Sequence, residues 1–194
     1  AQQALVVAAG IVLGLFLSSL LLMASGVGLS GLVNEFVVAI FGSPRNIAAV
    51  LSYAAPLTIV GLSAALAFKA RFWNIGVEGQ VIFGAIAATL VANHDFGPPA
   101  TRLVLMALFA AGAGMLWIGL PVFLRLRLNV NEIISTLLMN YIAFNLLLHL
   151  LYGPWKDPQS AFPNSKLFDD FERLTPIGWQ NLNLSVPIAV ALVL

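Results

Sequence analysis

Cysteine is absent from this 194-residue sequence, which excludes disulfides and thiolate metal sites. Charge is nearly absent as well. Lysine and arginine together number nine and aspartate and glutamate eight, so 9% of residues are charged, where a soluble domain carries about 25%. The net charge of +1 gives no electrostatic footprint for nucleic acid. The only histidines are His94 and His149. The sequence contains no HExxH, no GxSxG and no GxxxxGK(S/T), and so no zinc-protease helix, nucleophile elbow or phosphate-binding loop of those kinds. No metal, cofactor or catalytic residue is expected. If ATP supplies energy, another polypeptide must bind it.

What remains is mostly apolar. Hydrophobic residues make up 60% of the chain and mean hydropathy is +0.97. Uncharged runs of about 20 residues recur, the length with which an α-helix crosses a bilayer. The fold class follows: an all-α, polytopic membrane protein with five complete transmembrane helices and the start of a sixth, forming one transmembrane domain over 1–194. The runs place spans at about 4–25, 46–68, 74–92, 103–124 and 132–152, with a further one starting near 184. The stretch "NEFVVAIFGS" reads as a short helix on the interface, with Pro44 as its stop. Pro56 predicts a kink in the second span. Gly10 with Gly14, Gly84 with Ala88, and Ala110 with Gly114 give small-residue faces for close helix packing. The opening run is long for a signal peptide and lacks a basic leader, so it reads as a true span. The chain opens without methionine and stops inside "LSVPIAVALVL", so it reads as the N-terminal part of a longer protein.

Orientation comes from the short loops. Lys69 and Arg71 lie in one, Arg125 and Arg127 in another on the same side, and the positive-inside rule places both in the cytoplasm. The N-terminus is then cytoplasmic and the 153–183 loop external. Tyr152 and Trp155 at one edge, and Phe72 and Trp73 at the other, suit aromatic belts.

Two polar constellations interrupt the apolar pattern. "FWNIGVEGQ", residues 72–80, sets Asn74, Glu78 and Gln80 at the mouth of the third span. Asn74 suits a helix N-cap, and Glu78 suits the positive end of the helix dipole. "LNVNEIISTLLMNYIAFN" follows the second basic loop. There Asn131 suits the N-cap of the fifth span, and Glu132, Ser135, Thr136 and Met139 share one helical face. Thr136, Asn140 and Tyr141 extend the polar stripe, which should face protein or water rather than lipid. Two readings stay open for each constellation. In one, capping and interhelical hydrogen bonds hold the helices together, and Glu78 reaches the interface or pairs with Lys69 or Arg71. In the other, Asn74, Glu78, Gln80, Ser135, Thr136 and Asn140 line a polar path, as the ends of broken helices do in transporters.

"LAFKARFWNIGVEGQVIFGAIAA", then "NVNEIISTLLMNYIA", then "YGPWKDP" resemble the permease subunit of bacterial ABC importers for nucleosides and simple sugars. This group lies within the branched-chain amino acid and ribose permease family. The resemblance runs from about residue 41 to 179, and it is the ordered combination of the three that is specific. The "GVEGQ" form and the long external loop look more like the longer permease of nucleoside systems. The resemblance implies a second permease subunit, a cytoplasmic ABC ATPase, an extracytoplasmic substrate-binding protein and a place in the bacterial cytoplasmic membrane. It also implies an ATPase-docking loop downstream of Leu194. Two other classes stand against it: an ion-coupled secondary transporter using Glu78 or Glu132, and a scaffold or channel subunit. Uptake without an ATPase would mark the first. Insensitivity of uptake to Gln80→Leu and Asn140→Leu would mark the second.

Overall fold

The computed structural model describes residues 2–193. Ala1 and Leu194, the expected cut ends, lie outside the described residues. The chain runs α1 (Gln2–Ala24), α2 (Leu29–Phe41), α3 (Pro44–Lys69), α4 (Val77–Asn93), α5 (Pro99–Leu128), α6 (Glu132–Tyr152) and α7 (Ser185–Val193). A 3-10 turn (Asp170–Glu172) and two paired two-residue strands, β1 (Pro176–Ile177) and β2 (Leu182–Asn183), lie in the segment before α7. Among the described residues, α1, α3, α5 and α6 are long and apolar enough to cross a membrane. The third expected span is α4, whose 17 residues sit at the short end of the range for a crossing. The chain divides into two compact units, one of residues 1–54 with Pro176–Leu182, the other of residues 55–175 with 183–194.

In the first unit, α2 contains a π-helical turn over Asn34–Val38. Pro44 does not simply stop that helix, as the sequence suggested. It opens α3, and the Ser43 hydroxyl accepts a hydrogen bond from the Asn46 amide at 3.1 Å. Proline suits a first helical position because its missing N–H would have had no intrahelical partner, and serine is a favoured cap just before it. Among the described residues, nothing lies within 4 Å of where a side chain would begin at Gly10 or Gly14.

The second unit holds the packed part of the molecule. Its α4 and α5 approach at small residues: a Cβ on Gly84 would come within 3.1 Å of the Ala110 carbonyl, and one on Gly114 within 3.6 Å of the Gln80 carbonyl. Phe83 stacks on Trp117 across the same seam, with centroids 4.1 Å apart. The helix ends are set by backbone chemistry. Arg71, at φ 57°, closes α3 with Phe72 N–H donating to the Ala67 carbonyl and Arg71 N–H to the Phe68 carbonyl, a Schellman ending. Asn129, at φ 53°, turns the chain at the end of α5. Asparagine tolerates that left-handed conformation better than arginine does, so Arg71 carries the greater strain.

Opposite these ends, Arg102 near the start of α5 is buried at 5% exposure. Its guanidinium binds the Asp95 carboxylate at 2.6 Å, the Glu172 carboxylate at 3.2 Å and the Gly97 carbonyl at 3.0 Å, and it lies over the Phe171 ring. Glu172 is buried too, and its other oxygen accepts the Asp169 amide at 3.0 Å in a capping box. One arginine thus ties the 153–175 stretch to the α4–α5 turn. Composition and periodicity gave no sign of this, because Arg102 and Glu172 stand 70 residues apart.

A polar mouth at the start of α4

The segment 72–76 between α3 and α4 is irregular, and its backbone groups must find partners elsewhere. They find them on α6. The Ile75 amide donates to the Thr136 hydroxyl at 3.3 Å, and the Ile75 carbonyl accepts from the Asn140 side-chain amide at 3.1 Å. The Asn140 side-chain oxygen also accepts from Gly79 N–H at 2.8 Å. A helix start leaves four amides without intrahelical acceptors. Here one of them is capped from another helix, 61 residues away in sequence.

The local residues explain why α4 needs that help. The sequence placed the helix start near Asn74, with Asn74 as its cap. The helix instead begins at Val77 behind Gly76, which has no side chain to cap with. Asn74, buried, turns its oxygen to the Gly76 amide at 3.1 Å and so shapes the turn before the helix. Gly76 and Gly79 have no room for anything larger. A Cβ on Gly76 would stand 2.7 Å from the Thr136 carbonyl oxygen, and one on Gly79 2.8 Å from the Asn140 side-chain oxygen. The two glycines let α4 lie against α6 closely enough for these bonds to form.

On α6 the spacing at 132, 135, 136 and 139 makes one buried face: Glu132, Ser135, Thr136 and Met139 are all buried. Thr136 is fully so, and its hydroxyl also donates to the Glu132 carbonyl at 2.7 Å. The Ser135 hydroxyl reaches the same carbonyl at 3.3 Å. Asn131 caps α6 locally, accepting from the Ile133 amide at 2.8 Å. The Glu132 carboxylate meets Arg125 Nε at 3.2 Å, joining the end of α5 to the start of α6. That arrangement places an anion at a helix N-terminus and a cation at a helix C-terminus, where both dipoles favour them.

The remaining polar groups are uncommitted. Glu78 is exposed in the first turn of α4 and, among the described residues, forms no ion pair with Lys69, Arg71 or any other cation. Lys69, Arg71 and Arg127 are likewise exposed and outside the ion pairs. The side-chain N–H groups of Gln80 and Trp117 are buried with no acceptor among the described residues. No group of three or more metal-ligating side chains occurs among the described residues.

The stitch between the 72–76 strap and α6 gives a direct test. Thr136→Val keeps the shape and removes the acceptor of the Ile75 amide, which should lower stability by about 1–3 kcal/mol, while Thr136→Ser should stay close to the parent. Thermal unfolding of both variants in detergent checks this. A loss in serine with valine close to the parent would mean that packing at the methyl group, not the hydroxyl, holds the strap.

Long apolar helices whose polar side chains are turned onto one another suit a multi-pass membrane protein. The chain belongs to the branched-chain amino acid transport system permease component family, whose model matches residues 46–194. It is 43% identical to a glucose ABC transporter permease protein of Haloferax volcanii over 129 residues, 66% of this chain and 34% of that one. It is 31% identical to a guanosine ABC transporter permease protein of Bacillus subtilis over 189 residues, 95% of this chain and 54% of that one. It is 32% identical to a nucleoside ABC transporter permease protein of Lactococcus lactis over 146 residues, 73% of this chain and 39% of that one. The chain thus spans between about a third and just over half of the length of these relatives. No solved structure matches it.

Proposed function

We propose that this chain is part of the transmembrane permease subunit of an ATP-driven ABC importer that moves nucleosides or simple sugars across the cytoplasmic membrane by alternating access. The observation that carries this reading is the family match over 46–194, with relatives named for guanosine, nucleoside and glucose transport. In this reading ATP is hydrolysed by a separate cytoplasmic subunit, a second permease completes the path, and an extracytoplasmic binding protein delivers the solute. The ends carrying Lys69, Arg71, Arg125 and Arg127 face the cytoplasm, with the N-terminus on the same side. The 153–183 stretch is external.

The polar mouth of α4 then lies at the inner end of the path. Asn74, Ser135, Thr136 and Asn140 border it and set its shape through the bonds they already make. Glu78 and Gln80 are the groups left to meet the solute. Nucleosides and sugars are neutral and rich in hydroxyls, and an uncommitted amide donor suits them. An ion-coupled mechanism is less well supported. Its two carboxylates are Glu132, already bound to Arg125, and Glu78, which is exposed in the first turn of α4.

Reconstitution of the full-length permease with its ATPase and binding protein tests the reading. Guanosine or glucose uptake should require ATP hydrolysis and should fall at least about tenfold in Gln80→Leu, since an unmet polar contact at a solute site costs that order of discrimination. Uptake driven by a membrane potential without the ATPase would favour the ion-coupled alternative.

A further inference from the structure

At the end of α4 remote from the strap, a cavity of about 500 Å³ opens between the α4–α5 turn and the segment that follows α6. Its volume lies within the ~300–1,000 Å³ range of small-molecule sites. We propose that this cavity is a separate binding site for a neutral, hydroxyl-rich ring compound, a nucleoside or simple sugar, held before it enters the membrane. The proposal rests on the transport reading above, which makes this the face that solute reaches first.

Charge selects the class of ligand. Asp95, Asp169 and Glu172 line the cavity, as do Lys156 and Lys166. Arg102 stands behind the wall, bonded to Asp95 and Glu172. The three acidic groups are matched by the three basic ones, so the site carries no net charge with which to prefer an anion or a cation. It does have donors and acceptors together. Neither lysine takes part in an ion pair among the described residues, so both ammonium groups can donate. Asp95 uses one oxygen on Arg102 and keeps the other. The His94 ring contacts the Leu90 carbonyl through Nδ1 at 3.0 Å. A carbonyl only accepts, so Nδ1 is the donor in this contact. A sugar ring offers hydroxyls that both give and take hydrogen bonds, and this lining answers both.

Trp155 supplies the apolar face. It is half-buried at the cavity wall, and its backbone amide is held by the Leu150 carbonyl at 2.9 Å at the end of α6. An indole so placed can stack on a base or on the C–H face of a pyranose. The wall is also rigid. Arg102 and the capping box fix Glu172, and the Asp157 amide bonds the Asn164 carbonyl at 2.8 Å, closing the loop between Trp155 and Lys166. A preformed wall lowers the ordering cost of binding.

The test is equilibrium binding of radiolabelled guanosine and glucose to the full-length permease in nanodiscs, without ATPase or binding protein. Saturable binding of at least one probe is expected. Trp155→Ala should weaken it by about tenfold or more, the effect of losing an aromatic stacking partner, and Trp155→Phe should restore most of it. Guanosine 5′-monophosphate and glucose 6-phosphate should bind no better than the neutral probes. Three results would overturn the site as proposed: no saturable binding of either probe, binding indifferent to Trp155→Ala, or tighter binding of the phosphorylated forms. The same variants in ATP-driven uptake separate this from the transport reading. If uptake proceeds in the parent and in Trp155→Ala alike, the cavity proposal fails while the transport reading stands. If uptake never depends on ATP, the transport reading fails whatever the cavity binds.

Discussion

Replacing Arg102 by methionine should lower stability by about 3–5 kcal/mol, the usual consequence of removing one partner from a buried ion pair. The loss is large because of what stays behind. Glu172 is buried, and without the guanidinium its carboxylate keeps, among the described residues, the Asp169 amide as a partner. Gly97 loses a donor, and Phe171 loses the cation over its ring. Asp95 contributes little to the loss, because its side chain is 79% exposed and water takes over. A second change sharpens the test. Arg102→Met with Glu172→Gln removes the orphaned charge and should recover a substantial part of the stability. Chemical unfolding of the full-length protein in detergent measures both variants, and limited proteolysis of the 153–175 stretch should show it released in the single variant. A loss below about 0.5 kcal/mol for Arg102→Met, of the size of an ordinary surface substitution, would mean that the clamp does not hold the loop.

Asn140→Leu should cost about 1–3 kcal/mol, mainly from the Gly79 amide left unpaired, since the bond to the Ile75 carbonyl is exposed and adds little. One side chain serves both ends of the same short segment, accepting from Gly79 and donating to Ile75. Asn140→Asp separates the two halves. A carboxylate can still accept from the Gly79 amide, and the positive end of α4 favours its charge, but it cannot donate to the Ile75 carbonyl. It should therefore fall between the parent and leucine. Gln80→Leu, at the same mouth, should leave stability nearly unchanged, since its side-chain nitrogen has no partner to lose among the described residues. Thermal unfolding of the three variants in detergent ranks them. If leucine at 140 is tolerated as well as leucine at 80, the strap is held by packing alone.

Much of the architecture is legible in the sequence because hydropathy and helical period are local properties. Runs of apolar residues locate the helices, and the 132, 135, 136, 139 spacing identifies a face that is buried as a unit. Asn131 can be read as a cap because its partner, Ile133, is two residues away. The start of α4 cannot be read in the same way. Asn74 and Gly76 both have the chemistry of a helix start, and the choice of Val77 as the first helical residue depends on Asn140, which arrives from another helix. Pro44 is ambiguous for a similar reason, since a proline can follow one helix or open the next, and Ser43 decides between them. In the sequence Arg102 is only one of several scattered cations. Its role requires Glu172 and Asp95 to meet it in space, and no periodicity encodes that meeting.

The unequal lengths of neighbouring helices have a consequence for the surrounding lipid. At 1.5 Å per residue the 30-residue α5 is about 45 Å long and the 17-residue α4 about 25 Å, against a hydrocarbon layer of about 30 Å. The longer rod must lean or stand proud of the layer, while the shorter one draws the two headgroup planes together around it. If α4 crosses the layer, acyl chains beside it should be compressed, and the protein should favour thinner membranes over thick, sterol-rich ones.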